Sequence, residues 1–183
     1  DYSGYTGEAI LRKHVIDNSC GDGAFLCETV DRYCRIFLSG SSDRAALKDH
    51  LQTYIHGIEI EETAYRNCLY NLNAVVSAYG LTQIKWDVLH KNALTVTRYN
   101  EQMDFVVGNP PYVRVHNLES HYDLVKTFLF ATGGMTDLYL VFYELGLRML
   151  NQNGRLCYIT PSSWLTSLAA TNMRKHFFRH QNL

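Results

Sequence analysis

Five times along this chain a short run of β-forming residues is followed by a longer stretch whose apolar residues recur at helical spacing. That alternation admits few folds. Parallel strands need a crossover between them, and a helix supplies it, so the pattern implies an α/β domain with a mostly parallel sheet. His14–Asp17 (HVID) reads as the first strand. Asp22 to about Leu38 is the helix after it, with Phe25, Leu26, Val30, Tyr33 and Phe37 at core-like positions. Ser39–Asp43 ends that helix, and a small helix or loop follows. Tyr54–Ile60 alternates as strand two. Glu61–Tyr79 is a helix that opens on acidic residues and closes at Gly80, as the helix dipole and glycine caps favour. Gln83–Trp86 reads as a short third strand ending at Asp87, and Met103–Gly108 as a fourth, apolar at its centre. Asp137–Leu150 is an amphipathic helix stopped by Asn153-Gly154. Arg155–Thr160 is strand five, and Ser162–Phe178 a last helix.

The 183 residues are enough for one sizeable core, and no repeat or Pro/Ser linker divides them, so residues 1–183 read as a single domain. A hydrophobic share of 46% against 19% charged excludes the disordered and low-complexity classes. No apolar run reaches a membrane-spanning length and no leader opens the chain, so a cytoplasmic, membrane-free setting is expected. The five cysteines, an odd number, fit free thiols in a reducing compartment, and their spacing gives no metal site. The chain starts at Asp1 without Met and reads as a fragment truncated after strand five. With a formal net charge of −1 it lacks the basic balance of a free-standing nucleic-acid binder. Its charge is uneven, however. From Leu145 to Leu183 there is no Asp or Glu, while Arg148, Arg155, Arg174, Lys175 and Arg179 are basic: a solvated helix face, or a surface that meets phosphate.

In open α/β sheets ligands bind beyond the carboxyl ends of the strands, where the strand order reverses. Four groups of residues belong there. The first is Asp17-Asn18-Ser19-Cys20-Gly21-Asp22-Gly23. Its two glycines permit a tight turn and close backbone approach. The third glycine of a dinucleotide fingerprint is absent, Leu26 standing in its place. Two acids repel a pyrophosphate but suit an amino or sulfonium cation, which favours S-adenosylmethionine over a nicotinamide cofactor. The second is Glu59, whose carboxylate can take both hydroxyls of a ribose, or can simply be an acid near a helix start. The third is Asp87, able to accept from an adenine amino group or to cap a helix. The fourth is Asn109-Pro110-Pro111-Tyr112, directly after the apolar strand. Two prolines stiffen the backbone and fix where carbonyls point. The Asn109 side-chain oxygen and the Pro110 carbonyl can then accept both hydrogens of one planar amino group, with Tyr112 as a stacking face.

The ordered set DNSCGDGAFL, GIEI, WD and DFVVGNPPY resembles the S-adenosylmethionine-dependent amino-methyltransferases, in particular the gamma-class adenine-N6 DNA methyltransferases. Downstream, Asp137-Leu138-Tyr139, Phe142, Glu144, Arg148 and GRLCYITPSSWL resemble the large modification enzymes of bacterial restriction systems. The resemblance runs from Ile16 to Phe178. It implies a Rossmann-like methyltransferase fold with a doubly wound sheet, and methyl transfer to the N6 amine of adenine at a specific DNA sequence. It implies Asn109, Pro110, Pro111 and Tyr112 as the catalytic loop. The implied cofactor set is Asp17, Ser19, Cys20, Gly21, Gly23, Phe25, Glu59, Ile60, Asp87, Val88 and Asn109: the first turn at the methionine end, Glu59 at the ribose, Asp87 at the adenine. DNA and a cognate or fused restriction nuclease are the implied partners, with association with the bacterial nucleoid. The chain departs from the family in places. Asn18 and Asp22 replace the usual proline and serine. Ala169-Ala170 stand where an aromatic base clamp is expected, with Trp164 as the nearest alternative. Tyr5-Thr6-Gly7 resembles a shortened cofactor-capping segment. Protein glutamine or an RNA base as acceptor, and a catalytically silent subunit, are the alternatives.

Overall fold

The computed structural model describes residues 4–114, 122–131 and 136–180. Its strands are β1 (Val15–Asp17), β2 (Ile55–Glu59), β3 (Asp87–His90), β4 (Met103–Gly108) and β5 (Leu150–Tyr158). Its α-helices are α1 (Ala24–Gly40), α2 (Arg44–Tyr54), α3 (Glu62–Ser77), α4 (Tyr122–Val125), α5 (Leu138–Met149) and α6 (Thr171–His180). The strands form one sheet in the order β3-β2-β1-β4-β5. β1 runs parallel to both β2 and β4, and β2 parallel to β3. The chain thus winds outward from β1 and then returns to its other side. The strand order reverses between β1 and β4, the point at which such sheets bind ligands. Among the described residues no helix is long and apolar enough to cross a membrane.

The sequence reads as one domain, and its contacts gather into two compact units: Asp1–Gly108 with Met149–Cys157, and Asn109–Arg148 with Tyr158–Leu183. No linker marks the seam because the chain crosses at strand and helix ends. In the first unit, Leu26, Val30, Tyr33, Cys34 and Phe37 of α1 lie buried with Cys68, Leu72 and Val76 of α3, Leu47 and Leu51 of α2, and Val15 and Ile55 of the sheet. Local signals set the helix ends. The Asp43 side chain accepts from the Ala46 N–H at 2.9 Å to start α2. Glu61 accepts from Thr63 and Ala64 to start α3. The Leu81 N–H reaches back to the Val76 carbonyl, with Gly80 at φ +72°, closing the end expected at Gly80. None of the five cysteines is paired. In the second unit, Tyr139 and Leu140 of α5 pack with Phe130, Ala170, Met173 and Phe177. There the buried Glu144 carboxylate accepts from the Phe130 N–H and from Arg148, itself stacked over Phe128.

Three expectations are corrected. The third strand begins at Asp87 rather than ending there. Gln83–Trp86 forms no strand: Gln83 sits at φ +54°, the Lys85 N–H donates to the Gln52 side chain, and the Trp86 indole N–H donates to Asn73. α5 stops at Met149, and Asn153-Gly154 lies inside β5. A Cβ on Gly154 would stand 2.6 Å from the Met103 carbonyl, so this glycine serves close strand approach. The single last helix is instead two short 3₁₀ turns, Ser162–Leu165 and Leu168–Ala170, followed by α6. The Arg174 guanidinium donates to the Trp164 and Ser167 carbonyls and secures that break.

Candidate functional site

In the first unit the turn after β1 is built around a buried carboxylate. Asp17 is 1% exposed and accepts from the Ser19 N–H at 3.0 Å. Burial pushes its pKa up to about 7; the Ser19 N–H pulls it back, and the nearby Glu59 carboxylate pushes it further up. No cation among the described residues pairs with it. The Ser19 hydroxyl is buried without a hydrogen-bond partner. β4 ends against this group: a Cβ on Gly108, which sits at φ +150°, would stand 2.7 Å from Asp17 Oδ1. Asp22 has a different task from the one its charge suggests. Its carboxylate and carbonyl accept from Asn67 and Asn71, tying the turn to α3. Cys20 is buried, its N–H donating to the Ile58 carbonyl, and Phe25 is half-buried against the core.

Gly21 and Gly23 both have positive φ, +52° and +89°. A Cβ on Gly23 would meet Cys68 Sγ at 2.8 Å. Gly23→Ala is therefore expected to lower stability by about 2 kcal/mol, read as a shifted urea midpoint, through strain and overpacking together.

Glu59 closes the second side of the turn. Its Oε2 accepts from the Gly21 N–H at 2.8 Å, and its Oε1 from the N–H groups of Ile60 and Glu61 at 2.9 and 2.8 Å. Three of about four acceptor positions of a carboxylate are thus in use. One position remains, on Oε2, so taking both hydroxyls of a ribose would displace one of these three bonds. Ile60 is 56% exposed beside it.

Asp87 does not join this group. Its Cα partner is His56, whereas Glu59 is paired with His90, so Asp87 sits at the amino end of β3. Burial opposes its ionisation, but hydrogen bonds from His56, Arg98 and Tyr99 outweigh that and hold its pKa at about 2. It is an ion-pair anchor at the far end of the sheet. Val88 is buried in the core, against the position a Gly57 Cβ would take. The residues that do emerge at the carboxyl end of β3 are His90, Lys91 and Asn92. The Lys91 N–H donates to the Glu59 carbonyl, and the Asn92 side chain caps the next turn at Leu94. The signal in the sequence is Asn92 followed by a small residue, a side-chain cap of the kind Asp43 provides to α2.

In the second unit Asn109 is exposed, Pro110 buried, Pro111 half-buried and Tyr112 48% exposed. The Tyr112 hydroxyl lies 2.7 Å from the Ile159 carbonyl and beside the Asn109 side-chain oxygen. Its ring meets Tyr139 edge-on at 6.2 Å. The loop is fixed beyond Tyr112 as well, the Leu138 N–H donating to the Val113 carbonyl at 2.8 Å. Trp164 packs between Tyr143 and Phe177 in the core of this unit, so it supplies no free clamp.

Residues 34–183 match the Eco57I restriction-modification methylase family. The Type II methyltransferase M.BstVI of Geobacillus stearothermophilus is 30% identical over 190 residues, covering 96% of this chain and 33% of that protein. This chain spans about a third of the length of such relatives. Among solved structures, a nuclease-deletion mutant of the Type ISP restriction-modification enzyme LlaGI, in complex with a DNA substrate mimic, superposes with a TM-score of 0.74. The identity is 17%, over 91% of this chain and 19% of that one. A candidate class I S-adenosylmethionine-dependent methyltransferase (lmo1582) from Listeria monocytogenes superposes at 0.64 with 17% identity, over 91% of this chain and 45% of that one. With the family match spanning most of its length, the chain belongs to the Eco57I restriction-modification methylase family.

Proposed function

We propose that the parent protein transfers the methyl group of S-adenosylmethionine to the N6 amine of adenine in a specific DNA sequence. The observation that carries this reading is the Asn109–Tyr112 loop: an exposed amide acceptor and an exposed aromatic ring on a stiff Pro-Pro segment whose first proline is buried. The first unit fits the cofactor in its own chemistry. Asp17, buried and without a cation, and the partnerless Ser19 hydroxyl are acceptors for an ammonium group. Glu59 is an acceptor for ribose, and the His90–Asn92 segment replaces Asp87 as the place for an adenine edge. When bound, the cofactor supplies an electrophilic methyl on a sulfonium.

The chain's own residues then have separate tasks. Asn109 and the Pro110 carbonyl accept the two hydrogens of the target amine, localising a lone pair otherwise delocalised into the ring. No deprotonation need come first, so no dedicated base is required. Tyr112 offers its face to a base taken out of the duplex stack. DNA reading falls to other parts of the parent, and the restriction nuclease is either fused there or a separate cognate chain.

The test incubates the full-length parent with methyl-labelled cofactor and, separately, unmethylated DNA, RNA and cell protein. Label recovered as N6-methyladenine from DNA alone is the expected result. Label in RNA or in glutamine keeps the chemistry and overturns the substrate. Cofactor binding with no label anywhere makes the chain a silent subunit.

A further inference from the structure

Tyr112 has one hydroxyl proton and two oxygen atoms within its reach, the Ile159 carbonyl at 2.7 Å and the side-chain oxygen of Asn109. A phenol donates once and accepts on its remaining lone pairs. A backbone carbonyl can only accept, so the bond to Ile159 uses the proton. Asn109 has a choice that Ile159 lacks. A half-turn about its last side-chain bond exchanges Oδ1 with Nδ2 at almost no change in shape. With Oδ1 toward Tyr112, two acceptors compete for one hydrogen. With Nδ2 toward Tyr112, the Asn109 N–H donates to the phenol oxygen, the phenol O–H donates to Ile159, and every group is satisfied.

We infer that the Tyr112 hydroxyl, held by the Ile159 carbonyl, sets the Asn109 amide so that its oxygen is left open to accept from the target amine. This rests on the proposed role of Asn109 as amine acceptor and assigns the hydroxyl a positioning task separate from the stacking task of the ring. The surroundings favour a fixed hydroxyl. Tyr139 packs edge-on against the Tyr112 ring, and the Tyr139 hydroxyl is 3.2 Å from Ser163 Oγ. Ile159 acts through its backbone, its side chain being 60% exposed. Without the hydroxyl, nothing in these contacts distinguishes the two ends of the amide, and the wrong orientation presents N–H groups to an amine that also carries N–H groups.

The test uses the full-length parent and single-turnover methylation of a DNA carrying its target. Tyr112→Phe keeps the ring and removes only the hydroxyl. Its rate is expected to fall about five- to tenfold, the value of one oriented hydrogen bond, with cofactor and DNA affinities within about twofold. The same change is then made in Asn109→Asp. A carboxylate is identical after a half-turn, so there is no orientation to set, and Tyr112→Phe is expected to cost no further rate beyond about twofold. Asn109→Ser, with no amide to turn, provides a second background with the same expectation. An unchanged rate in Tyr112→Phe overturns the inference. So does an equal loss in all three backgrounds, because the hydroxyl would then act through packing rather than through Asn109. If the unaltered parent methylates no amine, the underlying functional reading fails first, before any variant is compared.

Discussion

Asn109→Ala is expected to lower the methyl-transfer rate of the parent enzyme by about a thousandfold and to leave its cofactor affinity unchanged. The rate loss follows from removing an acceptor aimed at the reacting amine, an effect typically of about 10²–10³-fold, with the orientation of the nucleophile lost alongside it. The unchanged affinity follows from how the loop is held. Asn109 is exposed, while the loop is fixed by the burial of Pro110, the Tyr112 bond to the Ile159 carbonyl and the Leu138 bond to the Val113 carbonyl. None of these needs the Asn109 side chain. Single-turnover rates beside an equilibrium binding titration check both halves. A variant that loses rate and affinity together would count against the division of labour between this loop and the turn after β1.

Asp17→Asn is expected to separate stability from binding in the opposite direction. With its carboxyl at about 7 in the fold and 3.8 ordinarily, the folded chain holds a proton that the unfolded chain releases. Below about pH 4 both states are protonated and the residue contributes no difference. As pH rises through this window the unfolded state ionises first. Stability falls until the folded carboxyl also ionises near 7, a loss of at most about 4 kcal/mol. Asparagine does not titrate, so the variant should match the wild type in acid and exceed it by a few kcal/mol near pH 8, without ligand. Its Oδ1 can still accept from the Ser19 N–H. Cofactor affinity should fall at least about a hundredfold, because the buried charge that answers a ligand cation is gone. Urea unfolding at two pH values, together with a binding titration, reads both effects. A stability difference that does not grow with pH would show that the Asp17 carboxyl is not raised.

The parts of the fold that were legible are those where apolar pattern and backbone pairing coincide. β4 is an example: Met103, Val106 and Val107 are buried, and Phe105 and Val107 lie in register with Val15 and Asp17. They diverge at β3. Ile84 is buried and Trp86 packs on the core, so the alternation is real. The backbone N–H between them, that of Lys85, is taken by the Gln52 side chain rather than by a neighbouring strand. Apolar alternation follows burial, whereas strand pairing depends on which group takes each N–H. The slip mattered for the site, because moving β3 by four residues carried Asp87 from one end of the sheet to the other. Asp17 and Glu59 were placed correctly, since strand and turn meet abruptly at both. The task of Asp22 was not legible from charge, because its partners Asn67 and Asn71 lie far along the chain.

Glu59 ties Gly21 to Ile60 and Glu61 through three backbone N–H groups, all of them the chain's own. Fixing the backbone of a residue costs about 1–2 kcal/mol, and here that ordering is completed during folding rather than at the encounter with a small molecule. A ligand entering the turn therefore meets a rim already in shape. Its arrival is a matter of diffusion and of exchanging one hydrogen bond for another, with no slow loop closure on this side. Any slow phase in cofactor association by the parent would thus have to originate outside the β1–α1 turn.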